Sequence, residues 1–276
     1  MKIHYYSYYL RFLIVLTFFL TKCVKESIQK DKPFYESEYC DSLEALGIID
    51  DYKFPVIPGT SEWEQLTGDQ RDSVLQIPED ILGTMCTNGL IETCLNWPFL
   101  WHCMIYEHFT TWWNMVDQSF NGTRELTERT DAPKKVVNRL NKFNEYPYSD
   151  TITSYTLKNK ITAQLVFMEL FLAREKVQKT LTINEKLLLG KRVKELLDIQ
   201  NTYDTILSPS VSPSYSCFLM GRMMYFDNYE PLIKEMSSNK ELNNFINIGS
   251  YIYYYDKSYE FIINNFDNYL NHIKSK

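Results

Sequence analysis

Between Ile77 and Leu100 the apolar residues open three copies of one spacing, i, i+1, i+4, i+5. They are Ile81, Leu82, Met85 and Cys86; Leu90, Ile91, Cys94 and Leu95; and Phe99, Leu100, Cys103 and Met104. Each copy is the apolar face of a short amphipathic helix. Successive copies start nine residues apart, which on one α-helix turns the face through about half a revolution. A single rod would therefore point alternate copies in opposite directions. The punctuation predicts three short helices instead. Pro78 suits a helix start, with Glu79 and Asp80 in the first turn where the helix dipole favours acids. Thr87 is placed to cap the second helix and Pro98 to open the third.

The same pattern extends on both sides. Ahead of this stretch, Tyr39 to Ile49 is predicted as a short helix and Phe54 to Gly59 as a proline-bearing crossing segment. Ser61, with Glu64 three residues on, has the form of a capping box, and Asp69 is placed to cap a helix ending near Gln76. Downstream, Phe109, Trp112, Trp113, Val116 and Phe120 share one helical face, which Asn121-Gly122 is predicted to end through left-handed backbone. Short helices follow over 123–130 and, behind Asp131-Ala132-Pro133, over 133–143.

Two longer helices come next. The first, 154–179, carries Leu157, Ile161, Leu165, Met168 and Leu172 on one stripe. The second starts at the capping box Thr182 and Glu185 and runs to Ile206, with Leu188, Val193, Leu196, Leu197 and Tyr203 facing inward. Their tight link predicts an antiparallel hairpin. Ser208 to Ser214 reads as a loop and the tail from Tyr215 as helical. Tyr251 to Tyr255 stays open between helix and strand, because tyrosine and isoleucine favour strands. The expectation is an all-α chain, an irregular, helical-repeat-like array of short helices followed by a longer helical hairpin.

Composition adds an address. The 276 residues carry a net charge of −6 without a basic cluster, so no nucleic-acid partner is expected. Phe12 to Leu20 is an apolar run behind Lys2 and Arg11, too short for a comfortable membrane span and suited to a signal peptide over 1–22. Leu20-Thr21-Lys22-Cys23 resembles a bacterial lipobox and makes Cys23 the candidate lipidation site and membrane anchor. Lys22 departs from that pattern, and an ordinary signal peptide or uncleaved anchor is the alternative. Residues 23–58 then form a tether and entry segment, and 59–276 a helical domain with two optional sub-lobes, 59–143 and 153–276. The expected location is the outer membrane or cell surface of a Gram-negative bacterium, or alternatively its periplasm. An oxidising compartment permits disulfides. Cys86, Cys94 and Cys103, however, sit on apolar faces, and the expectation for them is buried free thiols, with bridges among Cys40, Cys86, Cys94, Cys103 and Cys217 left open.

Several of these residues form an ordered series: Pro58-Gly59-Thr60-x-Glu62-Trp63, Ile77-Pro78-Glu79-x-x-Leu82-x-x-Met85, and Thr87-x-x-Leu90-Ile91-Glu92-Thr93-x-Leu95-x-Trp97-Pro98. Phe120-Asn121-Gly122, Glu125-Leu126, Arg129 and Asp131-Ala132 complete it. The series resembles a family of uncharacterised secreted or lipid-anchored bacterial proteins, whose usual wording is close to PEDILKSMSTEALVETVLNYP, then FNGL, then RxDA. The resemblance spans Pro58 to Phe143. Cys86 stands where a small polar residue is usual, Gly89 where a helix former is, and Trp97 where tyrosine is. It implies an exported address and a helical fold, and no catalytic residues.

Candidate chemistry is sparse. Glu92, beside an apolar face, is the leading candidate acid/base residue, with His102 or Asp117 as its companion, for a hydrolase acting on an envelope or dietary polymer. The plainer reading is a structural carboxylate that hydrogen-bonds a neighbouring helix N-terminus or pairs with Arg124 or Arg129. His102, His108, Glu107 and Asp117 have no metal-ligand spacing, and no Walker loop, GxGxxG, GxSxG or HExxH occurs, so neither metal nor cofactor is expected. Trp97, Trp101, Trp112 and Trp113 are close in sequence. Of these, Trp97, Trp101 and Trp112 are candidate binding residues that stack on a sugar face or hold a peptide side chain, against the plainer role of filling a core. The favoured reading is a non-enzymatic module that binds a protein, peptide or glycan.

Overall fold

The computed structural model describes residues 33–101, 106–144, 155–203, 213–250 and 256–276. The signal segment, Cys23, His102, Cys103, Met104, most of the serine-rich loop and Tyr251–Tyr255 lie outside them. The chain is all-α: among the described residues there is no strand, only a single bridge between His108 and Ser250.

The described part of the entry segment, 33–58, is built into the domain. Helix α1, Glu38–Leu46, is capped by Ser37, whose hydroxyl accepts from Cys40 N, and it ends on Gly47 at φ 68°. Cys40 is bonded to Cys86, with Cα atoms 5.4 Å apart. This corrects the free-thiol expectation for Cys86, whose apolar-face position suits a buried bridge as well as a buried thiol. Cys94 and Cys217 are buried free thiols, and burial pushes the Cys94 thiol up to about 12. Helix α2, Ser61–Glu64, is capped by Thr60 rather than Ser61, with Trp63 N donating to the Thr60 hydroxyl. Helix α3, Gly68–Val74, starts behind Thr67 rather than Asp69, and Thr67 N donates to Gln70 Oε1 over 2.9 Å.

Two of the three repeated faces form helices, α4 over Glu79–Leu82 and α5 over Thr87–Leu95. The third copy enters a turn at Pro98 and a 3₁₀ segment at Leu100–Trp101, where the described stretch ends. Pro78 is the N-cap of α4. Thr87 is not a cap: Cys86 holds that position, and Asp50 Oδ2 accepts from its N–H at 2.8 Å. The Thr87 hydroxyl donates instead to Asp131 Oδ1 at 2.8 Å. Tyr52 N donates to the Thr93 hydroxyl at 2.8 Å, so 50–52 lies along α5. That contact explains Gly89, where a Cβ would meet Asp50 Oδ1 at 2.1 Å and the Asp50 carbonyl at 2.8 Å.

Helix α6, Phe109–Ser119, buries Phe109, Trp112, Trp113 and Val116 as its spacing predicts. Asn121-Gly122 begins α7, Asn121–Glu128, rather than ending α6. Asn121 is spent on tertiary bonds: its Oδ1 accepts from Ile77 N at 3.0 Å and its Nδ2 donates to Ile77 O at 2.7 Å. Gly122 is needed for closeness, since a Cβ there would sit 2.5 Å from the Phe120 ring. Arg129 donates to Met85 O at 2.8 Å and Leu82 O at 3.2 Å, satisfying carbonyls at the end of α4. Helix α8, Ala132–Asn141, follows.

Helix α9, Tyr155–Leu172, is sunk in the protein, with 161–173 buried on every face. The stripe expected for it is thus too narrow, and Leu157, its first member, is 45% exposed. A break at 173–174 separates α9 from α10, Glu175–Gln178. The predicted capping box of α11, Ile183–Tyr203, is present: Thr182 N donates to Glu185 Oε2 at 2.8 Å, and Glu185 N to the Thr182 hydroxyl at 3.3 Å. Val193, Leu196 and Leu197 are buried, whereas Leu188 is exposed. The two long helices share α8 and α12, Ser214–Phe226, as partners. Ser214 belongs to that helix, not to the preceding loop. Helices α13, Glu230–Ser238, α14, Lys240–Ile248, and α15, Lys257–Lys274, complete the array. One continuous apolar core runs from Ile77 to Ile273 and passes through both proposed sub-lobes.

Candidate binding groove

The tryptophan cluster divides between core and surface. Trp112 and Trp113 are buried on α6, packed against Phe167 of α9. Trp97 is also buried and stacks on Phe120, centroids 5.2 Å apart and planes 11° from parallel. Neither Trp97 nor Trp112 has an exposed ring. Trp101, in the 3₁₀ segment after the turn at Pro98, is 47% exposed.

An open groove of about 580 Å³ lies beside it, within the range of about 300–1,000 Å³ usual for small-ligand sites. Ile57, Pro58, Pro98, Leu100 and Trp101 supply apolar wall, and Trp97 backs it. Asn96, Thr156, Asn159 and Lys160 supply amide, hydroxyl and ammonium groups along the same groove. It is assembled from the crossing segment, the turn after α5 and the first two turns of α9. An indole face beside amide donors and acceptors is the chemistry that grips a ring apolar on its faces and polar at its edge. Trp97 Nε1 is buried with no hydrogen-bond acceptor among the described residues.

Glu92 is not part of the groove lining. Its carboxylate is in contact with Arg139 Nε, an ion pair that links α5 to α8, and Arg139 also lies over the Phe143 ring. The expected partners are engaged otherwise: Arg129 pairs with Glu125 at 3.0 Å, and Arg124 donates to Gln118 O at 2.8 Å. His102 is outside the described residues. His108 is the N-cap residue of α6, and among the described residues no group of three metal-ligating side chains comes together.

One acidic residue escaped the pattern reading. Glu169 is fully buried in α9, and its Oε1 accepts the Ser216 hydroxyl from α12. Burial pushes its carboxyl up to about 8, against the opposing pull of the Ser216 hydrogen bond. A polar residue inside the apolar run Val166–Ala173 was the available signal. Sealed from solvent, it is no catalytic seat.

No protein family, curated protein or solved structure matches this chain. The groove's chemistry is read from its own geometry.

Proposed function

We propose that the chain is an exported, envelope-anchored helical binding module, and that the Trp101 groove is its seat for a neutral saccharide. The observation that carries this reading is the exposed indole of Trp101 on an apolar wall edged by Asn96, Asn159 and Thr156. A sugar ring presents C–H groups on its face and hydroxyls at its rim, and the groove complements both. The apolar run Phe12–Leu20 and Cys23 support export and a lipid anchor at the outer membrane or cell surface of a Gram-negative bacterium, with the periplasm as alternative. The Cys40–Cys86 bridge fits an oxidising compartment. Among the described residues no helix is long and apolar enough to cross a membrane. The resemblance to secreted and lipid-anchored proteins along Pro58–Phe143 agrees with this address. A hydrolase built on Glu92 would pair it with a second carboxylate, and the contact observed is with Arg139.

The test is binding of the chain to an array of neutral oligosaccharides from the glucan, mannan and N-acetylglucosamine series. The expected result is saturable binding of one series, weakened by about tenfold or more in Trp101→Ala, as for a truncated central aromatic. Array binding that Trp101→Ala leaves intact, or no binding to any series, contradicts the reading. For the anchor, Cys23→Ser is expected to move the chain from the membrane to the soluble fraction of expressing cells. Unchanged membrane partition of that variant would show that a lipid on Cys23 does not hold the chain.

A further inference from the structure

A second opening lies near the other end of α9, about 480 Å³ in volume, between α6, the α9–α10 junction and α12. Its walls hold Phe109, Trp113, Leu170 and Phe218 beside two half-buried guanidiniums, Arg174 and Arg222, with the exposed Glu175, Lys176 and Lys179 completing the charged lining. Arg174 lies 4.9 Å from the Trp113 ring and donates Nη1 to the Thr127 hydroxyl at 2.6 Å. Arg222 lies 4.3 Å from the Phe226 ring and donates to Ala173 O at 3.0 Å and Ile246 O at 3.1 Å. Each is held in place by ring faces and neutral acceptors.

What these two lack is a direct ion pair. Among the described residues neither makes a salt bridge, whereas Arg129, Arg139, Arg192 and Lys186 each contact a carboxylate. The acids whose fields reach the pair are Asp117, Glu128 and Glu175. Of these, Glu128 is taken by Lys176 and Glu175 by Lys179, while Asp117, whose Oδ1 is buried without a hydrogen-bond donor among the described residues, makes no ion pair with Arg174. Burial pulls both guanidiniums below the usual arginine range, so holding them charged there costs energy. Among the described residues Arg71 and Arg124 likewise make no salt bridge, but of the two openings only this cleft brings two such guanidiniums together, in a chain of net charge −6. Arginine held this way offers spare N–H donors in the planar fork that suits carboxylate and phosphate oxygens.

We propose that this cleft binds a small organic anion, a carboxylate or phosphoryl group on a ring or apolar body, with Arg174 and Arg222 on the anionic oxygens and Trp113, Phe109 and Phe218 against the body. The proposal does not depend on the Trp101 groove. It is tested by calorimetric titration of the whole folded chain with phenyl phosphate, benzoate and, as the neutral control, benzyl alcohol. At least one anion is expected to bind saturably with a dissociation constant of about 1 mM or tighter, and benzyl alcohol at least tenfold more weakly. Which anion binds more tightly separates a phosphoryl from a carboxylate ligand. Arg222→Gln is expected to weaken binding by about tenfold or more. Because Arg222 also holds two carbonyls, the second variant is Asn114→Trp, an exposed position on the cleft wall where an indole fills the opening and leaves both arginines in place. It too should abolish binding, while Trp101→Ala should not. Failure of both anions to bind, equal binding of benzyl alcohol, or full affinity in Asn114→Trp overturns the proposal.

Discussion

Glu169 is the residue whose chemistry departs furthest from its position in the pattern. Its carboxyl titrates near 8 in the folded protein and near 4.5 in an ordinary environment. Between those values the folded chain keeps a proton that the unfolded chain has released, so the stability from this site is full below pH 4.5 and is lost as pH rises toward 8. Glu169→Gln has no such titration. Denaturant unfolding at pH 5 and pH 8 should therefore show the wild type losing stability relative to Glu169→Gln, by up to a few kcal/mol at about 1.4 kcal/mol per pH unit. Parallel behaviour of the two proteins would refute the assignment. At the same scale, the Trp residues show what periodicity reads well and badly. It puts Trp112 and Trp113 on one apolar helix face, which is buried, so Trp112 is no binding residue. It did not separate Trp97 from Trp101, since exposure there is decided by a turn at Pro98 and by a ring, Phe120, distant in sequence. Gly89 was legible only as an oddity; its reason, Asp50, comes from a segment that crosses α5.

At the scale of elements, helices were legible and their ends were not. The apolar spacing located α4 to α8 closely, because amphipathic faces are local. The caps moved by a residue or more: Thr60 in place of Ser61, Thr67 in place of Asp69, Cys86 in place of Thr87. Thr87 and Asn121 are good local caps in the sequence, and the fold uses them for contacts between helices instead; Asp131 holds the N-cap position of α8 as expected, while its side chain accepts the Thr87 hydroxyl. Cys86 likewise looked like a small apolar residue because its partner, Cys40, is 46 residues away. That bridge ties α1 to the start of α5, and a loop of that size constrains the unfolded chain by about 4 kcal/mol in the chain-entropy account. Reduction, or Cys40→Ala with Cys86→Ala, is expected to lower the unfolding midpoint in denaturant and to free residues 33–48 to proteolysis first. An unchanged midpoint on reduction would mean that the bridge does not form.

For the whole molecule, the sequence led to the all-α class and to a division at the loop before α9. The core ignores that division, because α8 packs on α5 on one side and on α9 and α11 on the other. The apolar stripe of α9 predicts an amphipathic helix, and the burial of 161–173 on every face follows from where its neighbours sit, which periodicity alone does not encode. The two openings flank this helix, the Trp101 groove at its first turns and the arginine cleft at its last. Neither was visible as a motif, since each collects residues from several elements.

The central claim is that Trp101 is the residue that meets the ligand. Five tryptophans give five indole N–H signals in a heteronuclear NMR spectrum. On titration with the neutral oligosaccharide selected by the array, the account predicts that the Trp101 signal shifts in a saturable way while those of Trp112 and Trp113 stay in place. A Trp101 signal that stays fixed while the saccharide binds would contradict it.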